Sequence, residues 1–282
     1  MDRIINYIFG LIVIFLFVLE GRAEDHFMIV SGLVLSIIAA YVAFIGNWIT
    51  LDATKSVIVL GTVTLGFGGW WMAFALIFFF ASSSLLTRRN RMEVVENPEE
   101  NFLHHDLKKR RDGYQVWANG FWVAVLCLLW FITSIDAFFI AAFAVIATAT
   151  ADTWATEIGC RNPGKTRLIT NFKEVTPGTD GGVSLKGTMA AIVGSLAISL
   201  FMLPLLIEYP DAMLAVIFIS GFAGSIADSY VGATLQTADI SQVKPEDFIN
   251  SVHNFKNNFV NWISTGIGGL IAFIIAKVIF II

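Results

Sequence analysis

The 282-residue chain is 56% hydrophobic and 14% charged, with a mean hydropathy of +0.74, against about 25% charged residues in a soluble domain. That balance excludes a soluble globular protein, because apolar runs near the ~20 residues that a bilayer span requires recur along nearly the whole sequence. Two cysteines, Cys127 and Cys160, make no disulfide framework, and the net charge of −4 says less than the positions of the charges.

Nine apolar segments follow in chain order: Ile4–Leu19, Phe27–Gly46, Ala53–Leu65, Gly69–Leu86, Gln115–Thr133, Ala137–Glu157, Gly187–Ile207, Ala212–Gln236 and Phe259–Ile281. The first resembles a signal peptide over its first half. It lacks a small-residue cleavage site after the apolar run, so it reads as a span. The third is short and reads as a weak, re-entrant or broken segment. Basic residues concentrate in alternate loops: Arg88, Arg89, Arg91 and Lys108–Arg111 after the fourth segment, Arg161, Lys165, Arg167, Lys173 and Lys186 after the sixth, Lys244 and Lys256 after the eighth. With Arg3 and Lys55 these are 16 of the 18 Lys and Arg residues, and retention of basic loops on the inner side orients the chain with its N-terminus cytoplasmic. The expected fold is an all-α, polytopic transmembrane helix bundle of about nine spans. Residues 1–114 supply N-terminal membrane helices and a basic cytoplasmic loop. Residues 115–282 carry the polar motifs, the two parts forming one continuous membrane domain in the lipid bilayer. The loop of residues 87–114 runs from an acidic stretch to KKRR, a solvated linker or a basic collar for anionic headgroups or phosphates.

Polar residues gather where apolar ones are expected. The sixth segment ends ATADTWATEIG, with Asp152 and Thr156 on one helical face and Thr153 and Glu157 on another. The eighth contains GSIADSYVGATLQ, in which Ser225, Asp228, Gly232 and Gln236 form one stripe and Ser229 follows the aspartate. A carboxylate inside a span costs ~3 kcal/mol or more, so such groups persist when paired, metal-bound or facing water. Two carboxylates with hydroxyls make a hard-oxygen site suited to Mg²⁺, an ion that commonly bridges to substrate phosphates. Between these segments lies VTPGTDGGVSLKGT. Its glycines permit a turn whose amides form an anion-binding nest, and the helix that starts near Ser184–Gly187 also favours an anion at its N-terminus. Thr179, Ser184 and Thr188 add hydroxyls, Lys186 a cation and Asp180 a third carboxylate. Asn119 opens the fifth segment, and Asn254, Asn257, Asn258 and Asn261 open the ninth. All these groups converge on the cytoplasmic face in this topology.

GCRNPGKT (Gly159–Thr166) matches the P-loop pattern letter for letter, but that motif needs a strand before it and a helix after it. Here an apolar span precedes it and RLITNF follows without helical signature, so the match is coincidental. His26, His104, His105 and His253 lack zinc-ligand context.

The ordered set QVWANG, ATADTWATEIG, PGTDGGVSLKGT, GSIADSYVGATLQ and NNFVNWIS resembles a family of membrane proteins long catalogued without an assigned function, whose best-understood branch is the plant phytyl-phosphate kinase of vitamin E synthesis. The resemblance covers about residues 115–269 and extends distantly to dolichol kinase and CDP-lipid synthases. It implies a kinase that converts an isoprenyl monophosphate to the diphosphate with a nucleoside triphosphate, CTP, as donor, and no nucleic-acid partner. On that reading Mg²⁺ is held by Asp152, Asp228 and Asp180, and Glu157 is a base or an outer metal partner. Asn119, Thr179, Gly181, Gly182, Ser184, Lys186, Gly187, Thr188, Asn258 and Asn261 contact nucleotide or phosphate, with Thr153, Thr156, Ser229 and Gln236 as further polar positions. The same residues leave open a cytidylyltransferase that makes a CDP-lipid, and an ion-coupled transporter, whose sites usually lie nearer the bilayer midplane.

Overall fold

A computed structural model describes residues 2–19, 23–96, 110–161, 164–207, 211–235 and 246–279. Its helices are α1 (Asp2–Leu19), α2 (Ala23–Ile45), α3 (Leu51–Glu96), α4 (Gly113–Thr133), α5 (Asp136–Gly159), α6 (Leu185–Ser199), α7 (Ala212–Leu235) and α8 (Glu246–Ile279). Among the described residues eight helices are long and apolar enough to cross a membrane, α6 being prolonged by the 3-10 segment Leu200–Leu205. The protein is an all-α polytopic bundle, as expected.

Helix α3 accounts for the difference between eight helices and nine apolar segments. A straight helix of 46 residues would measure about 69 Å, more than twice the ~30 Å hydrocarbon layer. It is instead broken at Gly69, whose φ of 78° and ψ of −178° are open almost only to glycine. The arms fold back on each other. The Arg111 carbonyl accepts the Thr50 amide just before the helix, while the Arg111 guanidinium lies over Phe79 and Phe80; along a straight helix, positions 50 and 80 would stand about 45 Å apart. The first arm, residues 51–68, is therefore a full-length segment of about 27 Å, longer than the Ala53–Leu65 read from the sequence. It lies against α2, where Ser36 Oγ donates to the Ile58 carbonyl at 3.0 Å, and against α4, where Phe67 meets Phe131 edge-on.

That reversal keeps the polar helix ends together. Asn6 near the start of α1 donates to Ser56 on α3 and accepts from Trp117 on α4, so three helices begin at one face. Helix α4 is started there by a capping box: the Asp112 carboxylate accepts the Gln115 amide at 2.8 Å, and Gln115 Oε1 accepts the Asp112 amide.

Helix α5 is the axis of the bundle. It packs against α3, α4, α6, α7 and α8, and its Ala- and Thr-rich run from Ala137 to Ala151 is buried apart from Phe138. Small residues on the neighbours make this possible: Gly194 of α6 lies against Ala151, and Gly224 of α7 and Gly268 of α8 both lie against Thr148. By contrast Ile4, Tyr7, Leu11, Phe15 and Val18 of α1 are exposed and form an outer surface suited to lipid.

The loop between α5 and α6 carries structure that no sequence pattern announced. Strands β1 (Thr166–Leu168), β2 (Glu174–Val175) and β3 (Gly182–Ser184) form an antiparallel sheet in the order β2-β1-β3, with Thr166 opposite both Val175 and Ser184. The GKT triplet thus enters a strand, not a helix, which removes the P-loop match on geometry.

Replacing Gly69 by alanine places a Cβ in a backbone region that disfavours it, though no atom lies within 4 Å to clash. We expect Gly69→Ala to lower stability by about 1–3 kcal/mol, read as a reduced unfolding midpoint in detergent; an unchanged midpoint would mean that the turn relaxes without strain.

Candidate functional site

Helices α5 and α7 end at the same membrane face, each presenting one aspartate. Asp152 of α5 and Asp228 of α7 lie within hydrogen-bonding reach of each other. Ser264 of α8 donates to Asp228 Oδ1 at 2.6 Å, so three helices meet at the pair. Two carboxylates at this separation repel strongly unless a proton or cation lies between them.

The pair forms part of the wall of a cavity of about 180 Å³. Thr156, one turn beyond Asp152, and Ser225 and Gly232 beside Asp228 line it, as expected for residues on the same helical stripes, and Ser229 lines it too. Gln236, the last member of the α7 stripe, lies outside the described residues. The other wall is the glycine turn: Thr179, Asp180, Gly181, Gly182, Ser184, Gly187 and Thr188 all line the cavity. The charge of Asp180 acts on Asp228, although Asp180 stands outside the carboxyl pair.

The turn is built tightly. Gly182 N–H donates to the Thr179 carbonyl at 2.8 Å, and the Thr179 hydroxyl donates to the Thr176 carbonyl at 2.7 Å. Gly181 has φ 75° and packs so close to α7 that a Cβ there would meet the Ala233 side chain and lie 2.7 Å from the Ser229 carbonyl oxygen. The sheet holds the turn from behind, through β3 and through the Ile169 amide, which donates to the Gly181 carbonyl. Helix α6 starts at Ser184, whose hydroxyl accepts the Gly187 amide and whose carbonyl accepts the Thr188 hydroxyl. These groups are partly committed within the turn, so an anion there would draw on the remaining amides of the turn and of the first helical turn.

The donor set fits a hard divalent cation. Two carboxyl groups in contact, with serine and threonine hydroxyls beside them, are oxygen ligands of the kind Mg²⁺ takes. Among the described residues there is no group of three His, Cys, Asp or Glu side chains that could hold a metal. A cation at Asp152 and Asp228 would complete its shell with water or substrate oxygens.

Several expected site residues lie elsewhere. Glu157 turns away from the cavity: it accepts from Thr87 and, at 2.7 Å, from Asn90 at the end of α3, and its carbonyl accepts a second Asn90 bond at 2.8 Å. Thr153, four positions before Glu157, likewise does not line the cavity; both sit about 100° around α5 from the Asp152–Thr156 face. Lys186 is exposed and outside the lining. Asn119 donates to the Gln115 carbonyl and belongs to a second, apolar cavity. Of the α8 asparagines, Asn257 lines the site, while Asn258 is buried with its Oδ1 unpartnered among the described residues, and the Asn261 carbonyl accepts from Ser264 and Thr265.

Sequence reasoning passed over Ser264, Thr166 and Cys160. Ser264 was legible only as the residue three beyond Asn261. Thr166 lines the cavity with a buried hydroxyl that has no partner among the described residues. Cys160 lines it too; burial and then the Glu157 charge push its thiol up from the ordinary value, which keeps it protonated and a poor nucleophile.

The family model described as "Integral membrane protein DUF92" matches residues 34–269, which include the carboxyl pair and the glycine turn. An uncharacterized membrane protein of Methanocaldococcus jannaschii is 35% identical over 130 residues, covering 46% of this chain and 48% of that protein. A protein of Arabidopsis thaliana named PGR is 33% identical over 137 residues, 42% of this chain and 48% of that protein. An uncharacterized membrane protein of Synechocystis is 31% identical over 130 residues, 46% of this chain and 45% of that protein. The chain therefore spans about half the length of the curated relatives it matches. No solved structure matches. With the family model spanning most of its length, this chain belongs to the DUF92 family of integral membrane proteins.

Proposed function

We propose that the protein is a membrane kinase that transfers a phosphoryl group from a nucleoside triphosphate, CTP, to an isoprenyl monophosphate, with its site facing the cytoplasm. The observation that carries this reading is the contact between Asp152 and Asp228 in a polar cavity lined by a glycine turn. The resemblance of the ordered motifs to phytyl-phosphate kinase supports the reaction class and the donor. The basic loops at the same ends of the helices support the cytoplasmic orientation.

Asp152 and Asp228 would hold Mg²⁺ with the help of substrate oxygens; the bound ion supplies the neutralisation that lets phosphates approach a carboxylate pair. The glycine turn offers amides to the phosphates. Thr156, Ser225 and Ser229 offer hydroxyls that orient them. Exposed Arg161, Lys165, Arg167 and Lys186 on the loop and at the start of α6 give incoming anions a favourable field. Asp180, across from the pair, places a negative charge that favours one seating of the triphosphate over another. Transfer between phosphates depends mainly on positioning and charge stabilisation. The acceptor oxygen is already ionised, so no general base is needed, in keeping with the engagement of Glu157 by α3.

Full-length protein with CTP, Mg²⁺ and geranylgeranyl or phytyl monophosphate should yield the isoprenyl diphosphate and CDP. Release of pyrophosphate with a CDP-lipid would instead identify a cytidylyltransferase, and no turnover of any isoprenyl phosphate would refute both. Asp152→Asn and Asp228→Asn should each reduce kcat by about 10²–10³-fold, the scale of losing one preorganised electrostatic group, with unchanged helicity.

A second test addresses the turn. Gly181→Ala forces a Cβ toward α7, so the turn must move from the cavity. We expect kcat/KM for the nucleotide to fall about tenfold or more, equivalent to about 1.4 kcal/mol of misplacement. Wild-type kinetics in this variant would separate the turn from nucleotide binding.

A further inference from the structure

A second cavity, of about 220 Å³, lies between α2, both arms of α3 and α4. Its walls are almost wholly apolar, formed by residues such as Val57, Leu60, Leu76, Phe79 and Phe80. Val42 and Ile77 line it and are also 58% and 54% exposed on the outer surface, so the cavity opens sideways where the bilayer would be. An apolar space reached laterally from lipid suits a hydrocarbon chain.

Its polar end is not apolar at all. Arg111 lines the cavity with its guanidinium 5.5 Å from the Phe79 ring centroid and 5.8 Å from that of Phe80. Among the described residues no hydrogen bond reaches this guanidinium. Its main chain is fixed on both sides, the amide donating to the Trp48 carbonyl and the carbonyl accepting the Thr50 amide. Trp48 also lines the cavity, and its Nε1–H is buried without a partner among the described residues. The charge of Glu157 acts on Arg111, yet the Glu157 carboxylate already accepts from Thr87 and Asn90. The nearby Asp52 and Asp112 carboxylates accept the Gly113 and Gln115 amides at the start of α4. A guanidinium in so apolar a setting favours an anionic partner, and its five N–H donors match a phosphate.

We infer that this cavity binds one anionic phospholipid of the bilayer, with an acyl chain between α2 and the α3 hairpin and its phosphate on Arg111 and the Trp48 indole N–H. The occupant is a bilayer lipid and not the isoprenyl substrate, because the cavity lies on the Glu157 side of α5. A phosphate seated at Arg111 would be turned away from the Asp152–Asp228 face. The lipid would tie α2 and the α3 hairpin to α4, and this role does not depend on the kinase reading.

The test uses the full chain, purified and delipidated in detergent. Phosphatidylglycerol and phosphatidylcholine with matched chains are added separately; native mass spectrometry counts retained lipid and thermal unfolding reads stabilisation. The expected result is one retained phosphatidylglycerol per chain with a raised unfolding midpoint, and weaker retention of phosphatidylcholine by about tenfold or more, as for loss of one charge-assisted contact. Arg111→Gln should abolish the preference, and Ala39→Leu, which fills the cavity from α2, should abolish retention of both lipids. If Arg111→Gln fails to fold, Arg111→Lys and Ala39→Leu carry the test: the lysine should keep the anionic preference. Equal retention of the two lipids by the unaltered chain would overturn the inference. So would unchanged phosphatidylglycerol binding in Ala39→Leu, or selective retention of geranylgeranyl monophosphate over phosphatidylglycerol.

Discussion

The close approach of α6, α7 and α8 to α5 is the constraint on which the rest of the structure depends. Within a bilayer, helices gain nothing by leaving lipid for one another, so association rests on backbone proximity and dispersion contacts. Helix α5 offers alanines and threonines almost all round, and its neighbours answer with Gly194, Gly221, Gly224 and Gly268. Any large side chain along these seams would push a helix outward. Because the helices sit so close, the aspartates at the ends of α5 and α7 meet each other and Ser264 of α8.

Such a pair carries an energetic cost that packing alone does not repay. A charged group at depth in a bilayer is disfavoured by ~3 kcal/mol or more, and two together repel. The surroundings soften this: the pair lies near the helix ends, opens to a cavity rich in hydroxyls, and faces a glycine turn braced by a small sheet. Two carboxyl groups this close are poorly neutralised on their own, which favours a proton or a cation beside them.

The α3 hairpin performs a different service. By reversing at Gly69 it brings the ends of its two arms to one face, where Asn90 and Thr87 hold the last turn of α5 through Glu157 and where Arg111 spans from the first arm to the second. The site is thus buttressed from the side opposite the cavity, and Glu157, which reads in the sequence as a reacting group, acts as a fastener between α5 and α3.

Membrane class and the ends at which polar groups gather were determined by the sequence itself, because apolar length and basic-loop alternation are one-dimensional signals. So were the stripes: Asp152 with Thr156, and Ser225 with Asp228 and Gly232, share a face by helical period alone. Only the tertiary structure decided which faces look at each other. Thr153 and Glu157 have a spacing as good as that of Asp152 and Thr156, but α5 turns them toward α3. Asn119 stands at the expected membrane face yet across the bundle, and Lys186 leads away from the cavity that its neighbours line. The sheet of β1, β2 and β3 left no periodic trace, since strands of two or three residues are too short to show an alternation and take their register from pairing with one another. Rotation of one helix against another is set by side-chain packing across the seam, and no spacing along a single chain contains that information.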